Sequence, residues 1–575
     1  MRNKSYKNFI FYSGLIVLLN SIIVTVVYSQ EVTQTEEITV VAPYEPSVSD
    51  AFKINISPKI PDDKVEKPEF NYSIKPKLLQ TLVSLEPIVP AKIMGESVTK
   101  LYKNYIKAGI GNYITPYIEF FANKLRSKKN AFGVHLKHIS SSGKIKDYAY
   151  PGCSNDEIDI YGKKFMTHHT LSANAFYKRN GLHYYGYKPN DFPEISLSKK
   201  DIKQSFNLFG LNTSFESNYS RGEKLNHVFS LSYYYLFDKF ESKEQNIRFD
   251  ADLNKVVTFF DFADDQKLGV EAKVDYYFNS DTLMNHNSGL IKFKPYYNLN
   301  FSQYSFILGL NTVVEADSIS YMHFYPEVRA EVQVVKDILI TYAGIKGEVN
   351  KNSFKTLSEK NPFIISTIPM RFSNYKLDQY GGIKGRITKY LDYNLYFINS
   401  SIENMPFFVN DTVSALGKGL NNQFTVVYDK VKYSRVIAEF GFHYKDKFNA
   451  MLRGKYNSYF LDNEEKPWHK PALEISLSAE YNLQDKIIIK GEIFTFSKVY
   501  ARTFEKVEDP PIAVIKEIPV EINGMVDVNL GVEYRYSKLL SGFINFNNIL
   551  NQRYFRWYNY PSYRFNVMLG VTYSF

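Results

Sequence analysis

From residue 104 onward the chain alternates apolar and polar residues with a period of two. In the final stretch Phe565, Val567, Leu569, Val571, Tyr573 and Phe575 fall on one face, and Arg564, Asn566, Met568, Gly570, Thr572 and Ser574 fall on the other. Successive side chains of a strand point to opposite faces, so this reads as a β-strand with one wholly apolar side. The pattern recurs. Leu268, Val270, Ala272, Val274, Tyr276 and Phe278 alternate with Glu271, Lys273 and Asp275; Leu473, Ile475, Leu477, Ala479, Tyr481 and Leu483 alternate with Glu474, Ser476, Glu480 and Asn482. Strands of a soluble sandwich usually stop at about five or six residues, whereas these runs reach the ~9–11 that a tilted lipid crossing needs. The alternation therefore predicts an all-β protein, a membrane-spanning antiparallel β-barrel over residues 103–575.

Twenty-two strands can be counted, the first three beginning near Asn104, Thr115 and Ala131, the fourth and fifth near Met166 and Leu182, and the last near Arg564. Connections from odd to even strands include long ones, at 140–165, 188–204, 354–378, 408–422 and 503–523. Those from even to odd are mostly short, as at 178–181, 445–447 and 484–486. Bacterial outer-membrane barrels are built in this way, with long loops outside and short turns in the periplasm, and an even strand number returns both termini to the periplasm.

Composition agrees. There are 47 Tyr and 44 Phe against 2 Trp, yet mean hydropathy is only −0.30, as expected where lipid-facing and water-facing residues alternate. No run of about 20 apolar residues follows the first thirty. Residues 1–30 read as an export signal: Arg2, Lys4 and Lys7 precede an apolar stretch from Phe9 to Val27, with Ser29 and Gln30 after it. A retained anchor helix is the other reading, weakened by Ser13, Asn20, Ser21 and Thr25. Removal of the signal leaves 67 basic against 60 acidic residues, a balance of +7. That excess is mild and dispersed, with no basic patch of the kind that grips nucleic acid. Cys153 is the sole cysteine, so no intramolecular disulfide forms. Residues 31–102 differ in character: Pro43, Pro46, Pro58, Pro61, Pro68, Pro76, Pro87 and Pro90 interrupt any ladder or helix, which predicts an extended periplasmic arm.

Three features resemble known outer-membrane proteins. The closing strand, with Leu569, Val571, Tyr573 and Phe575 on its apolar face, resembles the insertion signal read by the barrel assembly machinery. The segment Asn547-Asn548-Ile549-Leu550, then Arg553-Tyr554, Tyr560-Pro561 and Arg564, is similar to the end of TonB-dependent receptor barrels, and the strand count equals that family's. Within the arm, Glu36, Glu37, Ile38, Thr39, Val40, Val41 and Ala42 resemble a TonB box, an exposed β-prone segment that adds as a strand to a TonB-type energy transducer. An incidental β-prone piece of linker is the alternative. The resemblance implies nutrient uptake at the outer membrane. One departure stands out: the family carries a globular plug between box and barrel, and here about 60 proline-dense residues occupy that place, too few for a well-packed core. The arm itself, a periplasmic or surface partner protein, or nothing at all fills the lumen on this reading, which leaves a plugless porin or an assembly scaffold as alternatives.

No catalytic, cofactor or metal constellation emerges. His168 and His169 lie in sequence near Asp156, Glu157 and Asp159, but adjacent strand residues face opposite ways and cannot share an ion. Glycines of the 381–385 segment sit inside an alternating strand and are no phosphate loop. Arg248, Lys292, Lys294, Arg329 and Arg535 are candidate lumenal charges, either a selectivity field or solvated wall. Trp468, Tyr554, Trp557, Tyr558 and Tyr560 could stack on sugars or other rings if loops display them, or anchor the membrane interface instead.

Overall fold

The computed structural model describes residues 102–124, 127–219, 224–411, 420–507 and 514–575. Residues 1–30, read above as an export signal, nearly all of the proline-rich stretch 31–102 and the 36–42 segment lie outside the described residues.

Twenty-two strands form one antiparallel sheet in sequence order. Closure is made by the first strand, Asn104–Gly111, which pairs on one side with Thr115–Lys124 and on the other with the last, Asn566–Ser574. Beyond the last strand, the Phe575 carbonyl accepts from the N–H groups of Lys103 (3.2 Å) and Asn104 (3.0 Å), and the Phe575 N–H donates to Asn104 O (3.0 Å). A closed sheet has no edge, so every ladder group is paired, the condition for sitting in hydrocarbon. At the end where the chain enters and leaves the barrel, turns are short, as between Phe301 and Tyr304 or Leu483 and Ile487. Long loops, among them residues 184–202, 352–371 and 548–565, gather at the other end.

The alternation separates two faces as predicted. Leu569 and Val571 are 58% and 54% exposed to the outside, whereas Thr572 between Val571 and Tyr573 is 5% exposed on the inside. Inward positions carry buried charge: Lys107, Glu119, Asp275, Glu492 and Glu533. Glycines 381–385 do lie within a strand, Phe372–Thr388. A Cβ at Gly385 would collide with the Ile338 carbonyl, so this glycine lets the neighbouring short turn close, with Arg386 N–H donating to Asp337 O at 2.9 Å.

The fourth and fifth strands depart from expectation. They span Cys153–Phe165 and His169–His183, so the region read as a long loop at 140–165 is mostly strand, and the supposed turn at 178–181 is inside a ladder. The outward face of Cys153–Phe165 has only Ile158 and Ile160 as apolar residues between Asp156 and Lys164, too few to announce the period of two. Register supplies the missing logic: Asp156 lies opposite His138 on one side and Arg179 on the other, and Glu157 lies opposite Lys178. Opposed charges across the ladder replace the apolar signal.

Candidate functional site

The long-loop end of the barrel is roofed. Loop 352–371 opens with a helix, Phe354–Lys360, whose start is held by a capping box between Ser353 and Thr356. Glu244, on the strand Lys243–Val256, accepts from the N–H groups of Phe354 (2.7 Å) and Lys355 (3.1 Å). The helix and the segment after it contribute Phe354, Leu357, Ile364 and Ile368 to a buried apolar cluster. Its other members are Leu182, Phe206, Leu208 and Leu236 from strands five to seven, Phe408, Phe424 and Val426 from strands fifteen and sixteen, and Tyr560 from the last loop. These elements stand far apart around the perimeter, so their side chains meet only over the opening.

Polar contacts tie the same pieces together. The Tyr184 hydroxyl donates to Ile364 O (2.8 Å), Ser242 Oγ to Ser366 O (2.6 Å), Asn422 Nδ2 to Tyr184 O (2.8 Å), and the Tyr185 hydroxyl to Pro561 O (3.0 Å). A parallel bridge joins Ile364 to Phe424, with Ile365 N–H donating to Phe424 O (2.9 Å) and Phe424 N–H to Phe363 O (3.0 Å). Tyr560 stacks on Phe363 with ring centroids 3.6 Å apart, and its hydroxyl donates to Asn422 O. A second cluster beside the first buries Trp468 against Ile402, Met405 and Phe407; its Nε1 donates to Glu464 (2.6 Å), which also holds Arg502 (3.1 Å).

His469, next to Trp468 in the chain, ties that loop to the first cluster. Its Nδ1–H donates to Phe408 O (3.0 Å), and its Nε2 accepts from Tyr558 N–H (3.3 Å), so the neutral ring is required. Burial pushes its pKa down to about 4, with the Phe408 carbonyl opposing and Lys470 adding to the shift. The loosened roof binds a proton near the ordinary pKa of about 6.5 and the closed roof does not, so roof stability is full above that value and falls with pH down to about 4. Acidification across that window is expected to quench and red-shift emission from Trp557, whose ring centroid is 5.0 Å from His469. His469→Gln, read by the same fluorescence titration, should abolish the transition.

The aromatic candidates thus have unequal fates. Trp468 and Tyr560 are buried, Trp557 and Tyr558 pack against the main roof cluster, and Tyr554 faces a cavity. The lumenal charges are all on inward positions and all beside carboxylates: Arg248 with Asp250 (2.7 Å), Lys292 with Glu348, Lys294 with Glu271 (2.9 Å) and Glu327 (3.3 Å), Arg329 with Glu331 (3.2 Å), and Arg535 with Glu533 (3.6 Å). His168 and His169 lie at a short turn, a strand's length from Asp156. Missed by sequence reasoning was His135, bracketed by Glu119 (3.1 Å) and Asp159 (3.4 Å) on the lumenal wall. It rests on the register of the unrecognised fourth strand.

Also missed was a cavity of about 390 Å³ below the last loop, lined from the second to fourth strands on one side and from the last four strands of the barrel on the other. Tyr113, Tyr554 and Tyr563 line it together with Asp527 and the amides of Asn155, Asn529, Asn545, Asn547, Asn548 and Asn566. Asn548 fastens the loop above, donating to Gln552 O (2.7 Å) and Tyr563 O (3.0 Å), and Asn547 Nδ2 donates to Asn566 Oδ1 (2.8 Å).

A barrel of this kind has solved counterparts. The pyoverdine outer membrane receptor FpvA of Pseudomonas aeruginosa superimposes with a TM-score of 0.61 at 12% identity, over 84% of this chain and 79% of that one. The siderophore receptor PirA of Acinetobacter baumannii gives 0.61 at 10%, over 84% and 81%. The closed form of the ferric-catecholate import receptor Fiu of Escherichia coli K12 gives 0.58 at 10%, over 82% of each chain. No family model and no curated protein sequence matches. The fold is that of the 22-strand TonB-dependent receptor barrel. Each of these three solved proteins is a receptor.

Proposed function

We propose that this protein is an outer-membrane receptor that takes up a nutrient through a lumen closed on the outside by its own loops. The roofed 22-strand barrel carries the reading: the architecture is that of import receptors, and a packed roof over the mouth is what a gated receptor needs and an open diffusion pore does not. In this reading the long loops face outward, both termini lie in the periplasm, lipid surrounds the apolar face, and the barrel assembly machinery inserts the chain. Residues 36–42 reach a TonB-type transducer by strand addition, and pulling on the arm supplies the work of opening. No catalytic role is assigned.

Val40→Pro tests the coupling. Proline removes a backbone donor from the added strand and fixes its φ, so partner capture and energised uptake should both fall at least tenfold, while the barrel, which begins at Asn104, assembles normally. Intact capture and uptake would make the segment a linker.

The roof also favours a second reading. Its clusters are buried as deeply as a globular core, which suits a structural scaffold that never opens. Energised solute uptake by proteoliposomes or cells separates the two.

A further inference from the structure

We propose that the cavity below the last loop is a binding site for a neutral polyhydroxylated ligand, a saccharide. The inference deepens the uptake reading and rests on it for the ligand's subsequent passage.

The chemistry of the lining differs from that of the surrounding wall. Elsewhere inward positions hold cations beside carboxylates, as with Lys294 between Glu271 and Glu327 or Lys384 beside Glu331 (2.9 Å). The cavity lining has no lysine, arginine or histidine. Amides take their place. Each amide offers two donors and an acceptor oxygen, and each sugar hydroxyl both gives and accepts, so amides and hydroxyls pair without any net charge. Asn529, Asn547, Asn548 and Asn566 are occupied in holding strand ends and loop, but Asn155 and Asn545, at the wall, make no side-chain hydrogen bond among the described residues.

One group in the wall points to a donor from outside. Asp527 is 2% exposed; the Tyr554 hydroxyl sits against its carboxylate, and its Oδ1 is buried with no hydrogen-bond partner among the described residues. A carboxylate oxygen left unpaired away from water is costly, and a ligand hydroxyl donating to it would recover that cost. The same carboxylate, with no cation in the lining, repels an anionic ligand such as a ferric catecholate. Tyr113 and Tyr563 pack on each other with ring centroids 4.5 Å apart and bring aromatic surface to the lining, apolar ground for the C–H groups of a sugar.

The test uses the full-length protein purified in detergent and titrated calorimetrically with maltotetraose, cellotetraose, xylotetraose and laminaritetraose, with ferric enterobactin as the anionic probe. At least one neutral tetrasaccharide should bind. Asp527→Asn and Asn545→Leu, each checked for intact heat-modifiable migration, should weaken that binding roughly tenfold or more, a loss expected for one charge-assisted hydrogen bond or a pair of neutral ones. Lys384→Gln, outside the cavity, should leave it unchanged. Binding of ferric enterobactin but of no saccharide overturns the proposal, as does failure of all four sugars or saccharide binding indifferent to both cavity variants. Saccharide binding without energised uptake would leave the cavity standing and defeat the transport reading; energised uptake of another solute, with no saccharide bound, would do the reverse.

Discussion

Tyr560→Ala is expected to unfasten the roof while leaving the barrel folded. The side chain is buried, stacks on Phe363, meets Tyr185 edge-on at 4.9 Å and donates to Asn422 O, so it joins the last loop to three others. Truncating a buried aromatic to alanine costs about 3–5 kcal/mol, and the cut also strips the Asn422 carbonyl of its donor. The roof lies outside the ladder, so heat-modifiable migration should persist. Trypsin added to intact cells should then cut at Lys355 and Lys360, sites that belong to the packed helix in the native protein. Tyr560→Phe keeps the ring and loses only the hydroxyl, at about 1 kcal/mol, and should remain largely resistant. Equal resistance of the alanine variant would mean that the roof is held elsewhere.

Deleting Phe575 is expected to cost most of the assembled protein. Its backbone supplies three hydrogen bonds across the closing seam, to Lys103 and Asn104, and its ring stacks on Tyr573 at 5.6 Å on the lipid face. Hydrogen bonds opened at a barrel seam have little water to replace them, so together they are worth several kcal/mol. The double change Tyr573→Ser and Phe575→Ser keeps the backbone bonds and removes only the aromatic surface, so the two variants separate ladder closure from side-chain recognition. Thr572→Ser, on the lumenal face, is the control and should assemble like the native chain. Immunoblots of unboiled outer-membrane fractions read all three; equal amounts would count against a terminal insertion signal.

The barrel was legible in the sequence because a strand with one face in lipid and one in water must alternate, and runs such as Leu473 to Leu483 do so without interruption. Where the outward face is short of apolar residues, as around Ile158 and Ile160, the strand is specified by cross-ladder charge instead, and no single stretch contains that information. The functional region was less legible for the same reason. Trp468, Trp557, Tyr558 and Tyr560 are loop aromatics by sequence, yet the structure buries Trp468 and Tyr560 and packs Trp557 and Tyr558 against the roof, through partners that lie elsewhere in the chain. The lumenal charges show both cases: Arg248 meets Asp250 two residues along its own strand, as the period of two allows, whereas the partners of Lys294, Glu271 and Glu327, follow only from register.

The position of Tyr560 in the final loop has a consequence for biogenesis. Tyr185 and Pro561 are 376 residues apart, and Tyr184 and Ile364 are 180 apart, so these contacts carry a large loop-closure cost until the wall has brought their anchors together. The roof is therefore the last structure to form, completed only when the terminal hairpin arrives. A chain stalled one hairpin short of closure lacks the residue that joins the pieces, and its half-formed mouth presents unburied aromatic surface to proteases and chaperones.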